Sequence, residues 1–248
     1  MPDPVQSLVR RIYREYQKSV DLAPAAHYLY GTPLRPVVPL DSALGGVMVV
    51  GAYPSARFGV VDGERDVPLA DNLGPFEMER WFDGARVRVQ PSARELEELV
   101  LQPLGLARAR CWITDLVKVF LFKPGHREKY GRLGATVPEG YDREDFEKIA
   151  ARSLPWLELE IELARPKLII TLGREVAGIV REVQGDQKRN RLLGPPFLPW
   201  SIAGDEVVTA HLAHPGILMR PEGKEWKVRH VEDHMPALHD LVRKLAVT

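Results

Sequence analysis

A single cysteine, Cys111, stands in this chain of 248 residues. That scarcity excludes an internal disulfide framework, a four-cysteine zinc site and a cysteine-ligated iron–sulfur cluster. Net charge is absent too. The 34 Lys and Arg residues balance 34 Asp and Glu residues, so no global field draws in a polyanion, and any nucleic-acid role must rest on local basic patches. No apolar run approaches the ~18 residues of a membrane span, and the N-terminus lacks a signal-peptide pattern. Internal repeats and low-complexity segments are also missing. These absences lead to the expectation of a cytoplasmic protein in a reducing compartment, with no membrane partner.

What is present is an ordinary globular balance, 45% hydrophobic and 27% charged. The length permits one large or two small domains. Val5, Leu8, Val9, Ile12, Tyr13 and Tyr16 recur at helical spacing, predicting an amphipathic helix over 5–20. Residues 23–46 carry Pro24, Pro33, Pro36 and Pro39, too irregular for a long helix, and read as a wrapping segment.

Four short apolar runs predict strands: Val47–Val50, ending at Gly51; Cys111–Thr114, running into Asp115; Leu168–Leu172; and Val207–Thr209. Helices are expected between and after them. One spans 92–102 behind a Ser92…Glu95 capping box; one spans 142–163, with Pro155 able to kink it; one starts near Gly173; one closes the chain over 231–246. Strands alternating with helices predict an α/β fold. The expected architecture is a three-layer α/β/α sandwich around a central, mainly parallel four-stranded sheet. We read 1–248 as one domain, with 1–45 as its N-terminal helix and wrapping segment.

In open sheets of this kind, ligands bind outside the carboxyl ends of the strands. Three loops follow strand ends, 51–58, 115–123 and 211–220, and should meet at one edge. The last holds His211 and His214, whose imidazoles can donate or change charge near neutral pH. His214 either caps a strand end or donates to a ligand, and His211 reads as structural support. As a metal pair they lack an evident third ligand. The apolar run Ile217-Leu218-Met219 either plugs into the core or forms a wedge against a partner. Lys123, His126, Arg127, Lys129 and Arg132 make one basic cluster, and Lys188, Arg189 and Arg191 a second; each is a solvated face or a phosphate-contacting rim. Cys111 beside Trp112 reads as inert core.

Four stretches, in this order and spacing, resemble the uracil-DNA glycosylase superfamily. They are Gly51-Ala52-Tyr53-Pro54-Ser55, Ile113-Thr114-Asp115-Leu116-Val117-Lys118, Pro166 through Gly173, and His214-Pro215-Gly216-Ile217-Leu218-Met219-Arg220. The nearest likeness is to the thermophilic iron–sulfur branch, without its cluster: Val119 stands where one cluster cysteine would follow Lys118.

The resemblance implies a DNA repair enzyme that hydrolyses the N-glycosidic bond of uracil, or another deaminated base, flipped out of DNA. It implies His214 as donor to the departing base, with Asp115 and Tyr53 completing the catalytic set. Gly51, Ala52, Pro54, Ser55, Phe76 and Asp115 would form the base pocket, with Phe76 stacking on the base. Ile217, Leu218, Met219 and Arg220, with Lys123 at the rim, would hold the DNA. No cofactor and no metal are expected, and a monomer is.

Two departures shape the expectation. Ala52 and Tyr53 stand where active relatives offer a water-positioning Asp, Asn or Glu, and a phenol with an ordinary pKa of about 10 is a poor base. Asp115 replaces a base-reading Asn. An ionised carboxylate only accepts hydrogen bonds, whereas an amide also donates. The alternative is therefore a DNA- or nucleotide-binding protein that kept the fold and lost the chemistry. A metal-dependent hydrolase built on His211 and His214 is a third reading.

Overall fold

The computed structural model describes residues 3–28, 33–55, 57–61, 65–70, 73–78, 80–82, 86–185 and 192–246. Its first element, α1 (Pro4–Ser19), is capped by Asp3, whose carboxylate accepts from the Val5 N–H at 3.0 Å. Proline in the first turn gives up only an N–H that has no helical partner. The buried face of α1 carries Ile12 and Tyr16. The proline-bearing segment then wraps the body, tied down where Val37 N–H donates to the Lys118 carbonyl at 2.6 Å.

The order that follows is β1 (Val47–Gly51), β2 (Arg57–Val61), β3 (Arg65–Ala70), β4 (Arg80–Phe82), β5 (Val87–Val89) and α2 (Pro91–Leu96). Next come β6 (Cys111–Asp115), α3 (Pro124–Arg132), α4 (Phe146–Ala164), β7 (Leu168–Leu172), α5 (Arg174–Val183), β8 (Leu198–Ile202) and β9 (Asp205–Leu212). The chain closes with α6 (Pro215–Leu218), α7 (Lys224–Arg229) and α8 (Met235–Lys244).

The main sheet runs β6-β1-β7-β9-β8. Its first four strands are parallel and the edge strand β8 is antiparallel to β9. Side chains alternate across a strand. Met48 and Val50 therefore enter one apolar layer with Tyr16, Leu157 and Ile161, while Val47 and Val49 enter the other with Leu96, Leu238 and Val242. Helices α1 and α4 thus cover one face and α2 and α8 the other. The expected three-layer α/β sandwich is the observed one.

Several expectations need correction. The sheet has five strands rather than four. Strand β8 reads Leu-Pro-Trp-Ser-Ile, and only Trp200 and Ile202 turn fully inward. Pro199 is acceptable there because an edge strand leaves one row of N–H groups unpaired. Strand β9 is longer than Val207–Thr209 and takes in His211. Two small hairpins, β2–β3 and β4–β5, lie between β1 and α2, where no strand was expected. The Ser92 capping box does not form: α2 is capped at Gln90 with Pro91 in its first turn, and no side chain caps it. Helix α4 begins at Phe146 after a 3-10 turn at Arg143–Asp145, and it runs through Pro155 as one helix. The stretch 123–132, read only as a basic cluster, forms helix α3 with Lys123 as its N-cap. Lys188, Arg189 and Arg191 lie outside the described residues. Among the described residues no helix is long and apolar enough to cross a membrane.

Candidate active site

Strand β1 lies between β6 and β7, so the chain leaves it on one side and returns on the other. A crevice opens at such a reversal, beyond the carboxyl ends of the strands. Gly51 ends β1 directly opposite Asp115, which ends β6. The first loop is then sewn to the second, with Leu116 N–H donating to the Gly51 carbonyl at 2.8 Å and Val117 N–H to the Ala52 carbonyl at 2.9 Å.

Gly51 is glycine for a reason of space. A Cβ there would overlap Asp115 Oδ1 and lie 2.7 Å from Phe76 Cε2. Phe76 sits at φ 57, a left-handed conformation unusual for an aromatic residue. Arg108 fastens that turn: its guanidinium donates to Asp41 at 2.7 Å, to Glu77 at 2.9 Å and to the Pro75 carbonyl at 3.3 Å. The Phe76 ring lies 6.0 Å from the His214 ring, centroid to centroid, with 31° between the planes.

His214 is the N-cap of α6, and its Nδ1 accepts from the Gly216 N–H at 3.0 Å. That bond fixes the tautomer. With Nδ1 accepting, the ring proton of neutral imidazole resides on Nε2, which remains a donor. Burial holds the His214 pKa below its ordinary 6.5, so the ring is neutral at neutral pH.

Asp115 is 3% exposed. Burial raises its pKa from 3.8 to about 7; Lys118 opposes this and Glu160 adds to it. A carboxyl in this state exists as acid and carboxylate in comparable amounts near neutrality.

Tyr53 faces the same group of residues but not as a base. Burial raises its pKa above 10. Its ring packs 5.7 Å from Phe146, with the Arg143 guanidinium 5.4 Å from its centroid. The catalytic role expected for Tyr53 therefore narrows to a neutral phenol in the wall. Pro54 is buried, and Ser55 accepts a short hydrogen bond from the Gln90 side-chain amide.

The loop after β9 divides. Leu218 is 2% exposed and packs with Ala177, Leu193 and Ala213, so it anchors the turn instead of projecting as the expected DNA contact. Met219 is 48% exposed, Arg220 is exposed and Ile217 is half-buried. Lys123 caps α3, and its backbone N–H donates to His126 Nδ1 at 3.1 Å. Arg127 in that helix pairs with Asp142, so the basic cluster is partly neutralised.

His211 is fully buried, its Nδ1 2.6 Å from Thr171 Oγ1 and its Nε2 3.4 Å from Gln184 Oε1. Both ring nitrogens thus face protein partners, as does Nδ1 of His214, which removes the basis for a two-histidine metal site. Among the described residues, no three His, Cys, Asp or Glu side chains are grouped to hold a metal ion.

Three residues near the site escaped the sequence reading. Arg143 reaches it from the turn before α4. Glu175, from the first turn of α5, lies 3.8 Å from Arg143. Gln90, 2% exposed, braces the first loop. The only local signal was polar residues at helix starts, which is equally a solvation pattern.

The family model described as "Uracil DNA glycosylase superfamily" matches residues 45–241. No curated protein matches the chain.

Proposed function

The chain belongs to the uracil DNA glycosylase superfamily, and on that premise we propose that it excises uracil, or another deaminated base, from DNA by hydrolysing the N-glycosidic bond. Membership makes it a glycosylase-type protein that acts on DNA. The choice of base and the roles of the residues are our reading. The observation that carries it is the meeting of Gly51, Phe76, Asp115 and His214 at the carboxyl edge of the sheet.

The bare Cα of Gly51 lets the Asp115 carboxyl and the Phe76 ring close in together on the end of β1, so that a polar group and an aromatic ring stand side by side for a base. Phe76 offers a π-face, worth about 1–3 kcal/mol per stacked base. That return offsets much of the few kcal/mol needed to flip a nucleotide, which is least for a mispaired base. Asp115 in its acid form reproduces what an asparagine does. Its O–H donates to a carbonyl such as uracil O4, and its C=O accepts from N3–H. As carboxylate it would repel O4, so uracil selects the acid form.

The difficult part of the reaction is the negative charge left on the departing base. His214 Nε2–H, held by the Gly216 contact, supplies a preorganised donor to the oxygen that takes up this charge. One such donor is typically worth about 3–4 kcal/mol of barrier. A neutral imidazole suits this role because it donates without having to lose its proton. Met219 and Arg220 lie on the exposed side of the same turn and are assigned to the gap left in the duplex and to the phosphates. Tyr53 and Ala52 offer no base in the first loop, and slow turnover is the expected consequence.

The test is single-turnover base release from labelled duplexes carrying uracil, hypoxanthine or xanthine, followed by alkaline strand cleavage. Release from uracil DNA that collapses in His214→Ala supports the proposal. No release from any duplex, with salt-sensitive DNA binding retained, would leave a recognition protein in place of an enzyme.

A further inference from the structure

Behind Asp115 lies a buried charge pair that the chemistry above does not use. Lys118, three residues along the loop from β6, and Glu160, on α4, both have fully buried side chains, and their charged atoms are 2.9 Å apart. The ammonium has two further partners. It donates to Thr114 Oγ1 at 2.6 Å and to the Asp115 carbonyl at 2.6 Å. Two N–H groups of Lys118 are thus spent on the last two residues of β6, and the contact with Glu160 is one of charge, neither buried Glu160 oxygen having a hydrogen-bond partner. Its backbone is fixed as well, the N–H donating to Tyr16 Oη at 2.8 Å and the carbonyl accepting from Val37.

Stability does not account for such a pair. Taking two ions out of water costs several kcal/mol each, and apolar residues of similar volume often serve the fold as well or better. Leu157 and Ile161, on the same buried face of α4 as Glu160, belong to an apolar layer, so apolar side chains would suit that face. What an apolar pair would lack is a grip on the Asp115 carbonyl and a field at its carboxyl.

We propose that Lys118, charge-balanced by Glu160, is a positioning residue for Asp115: it pins the end of β6 and sets the electrostatic field in which that carboxyl meets the base. The inference rests on the base-reading role proposed for Asp115. The groups facing that carboxyl are few. Lys118 comes from its own segment, Glu160 from α4 and Tyr53 from the first loop. Gly51, against which it lies, and Phe76, which closes on the same space, carry no charge. Tyr53 stays a neutral phenol, so the field is set by the pair. Lys118 stabilises the carboxylate more than Glu160 destabilises it.

Two variants of the full chain therefore push in opposite directions. In Lys118→Met/Glu160→Leu, loss of both charges moves the Asp115 titration to higher pH. In Glu160→Gln, the uncompensated Lys118 moves it to lower pH. The readout is the carboxyl carbon-13 resonance of Asp115 in aspartate-labelled protein, identified by its absence in Asp115→Asn. It requires no turnover. Base release from uracil DNA, followed against pH on the same preparations, should shift its alkaline fall in the same sense. The plateau rate of the double variant should drop tenfold or more as the strand end loosens.

Titration curves that superimpose on wild type in both variants would overturn the inference, as would opposite shifts without any change in a measurable base release. The double variant is expected to fold, and Glu160→Gln keeps the test open if it does not. Wild-type protein that releases no base while the two resonance shifts occur would defeat the glycosylase proposal and leave the electrostatic role of the pair standing.

Discussion

Asp115 Oδ1 lies against the bare Cα of Gly51, in space that any side chain at position 51 would occupy. The contact joins the ends of two parallel strands, and the Phe76 ring closes on the same space. Gly51→Ala should therefore displace either the carboxyl or the ring. Overpacking of this kind costs about 1–3 kcal/mol, and base capture should fail as well. Denaturant unfolding, together with 2-aminopurine fluorescence in a flipped-base duplex, would show both. A variant with unchanged stability and unchanged capture would mean that the base does not seat at the Gly51–Asp115 strand ends.

His214 serves two masters, the cap of α6 and the proposed donor at Nε2. Asparagine is a strong N-cap residue, so His214→Asn should accept from Gly216 N–H and unfold near the wild-type midpoint. Its base release should still fall by about 10²–10³. His214→Ala should lose a similar factor in rate and about 1 kcal/mol of stability besides. Full activity in the asparagine variant would end the donor assignment.

The raised pKa of Asp115 makes a prediction with a definite sign. Between pH 3.8 and about 7 the native state holds a proton that the unfolded chain has released. Stability contributed by the acid form is present at low pH and is lost as pH rises through that window. Asp115→Asn, which cannot ionise, should therefore gain stability over wild type at pH 8 by a few kcal/mol and show little gain at pH 4. On uracil DNA, wild-type release should fall as pH rises past about 7, whereas the asparagine variant should lose that alkaline limb. A limb that persists in Asp115→Asn would assign it to another group.

Leu218 and Met219 are neighbours with opposite fates. Leu218→Ala should cost about 2–5 kcal/mol of stability through the cavity it leaves. Met219→Ala should unfold like wild type yet weaken the hold on a flipped site, seen as faster dissociation from duplex containing an abasic site. Equal effects of the two on stability would show that the turn does not pack as described.

Much of the fold was legible because the strands are short, apolar and bounded by glycine, and because four loop motifs occur in one order. What escaped was governed by non-local contact. Strand β8 carries Pro199 and Ser201 outward, and its apolar residues count as a strand only because β9 lies beside them. Leu218 and Met219 share the same apolar run, and no periodicity in so short a turn says which one points inward.

By itself the sequence determined the α/β alternation, the loops expected at one edge, and the presence of His214 and Asp115 in them, while Phe76 entered only through the family resemblance. These follow from local periodicity and turn chemistry, which a chain carries without its partners. Only the tertiary structure decided that burial raises the Asp115 pKa, that His214 presents Nε2, and that Lys118 and Glu160 close on each other behind them. Burial and distance set those states, and both arise only when α4, 42 positions along the chain from Lys118 at Glu160, packs against the end of β6.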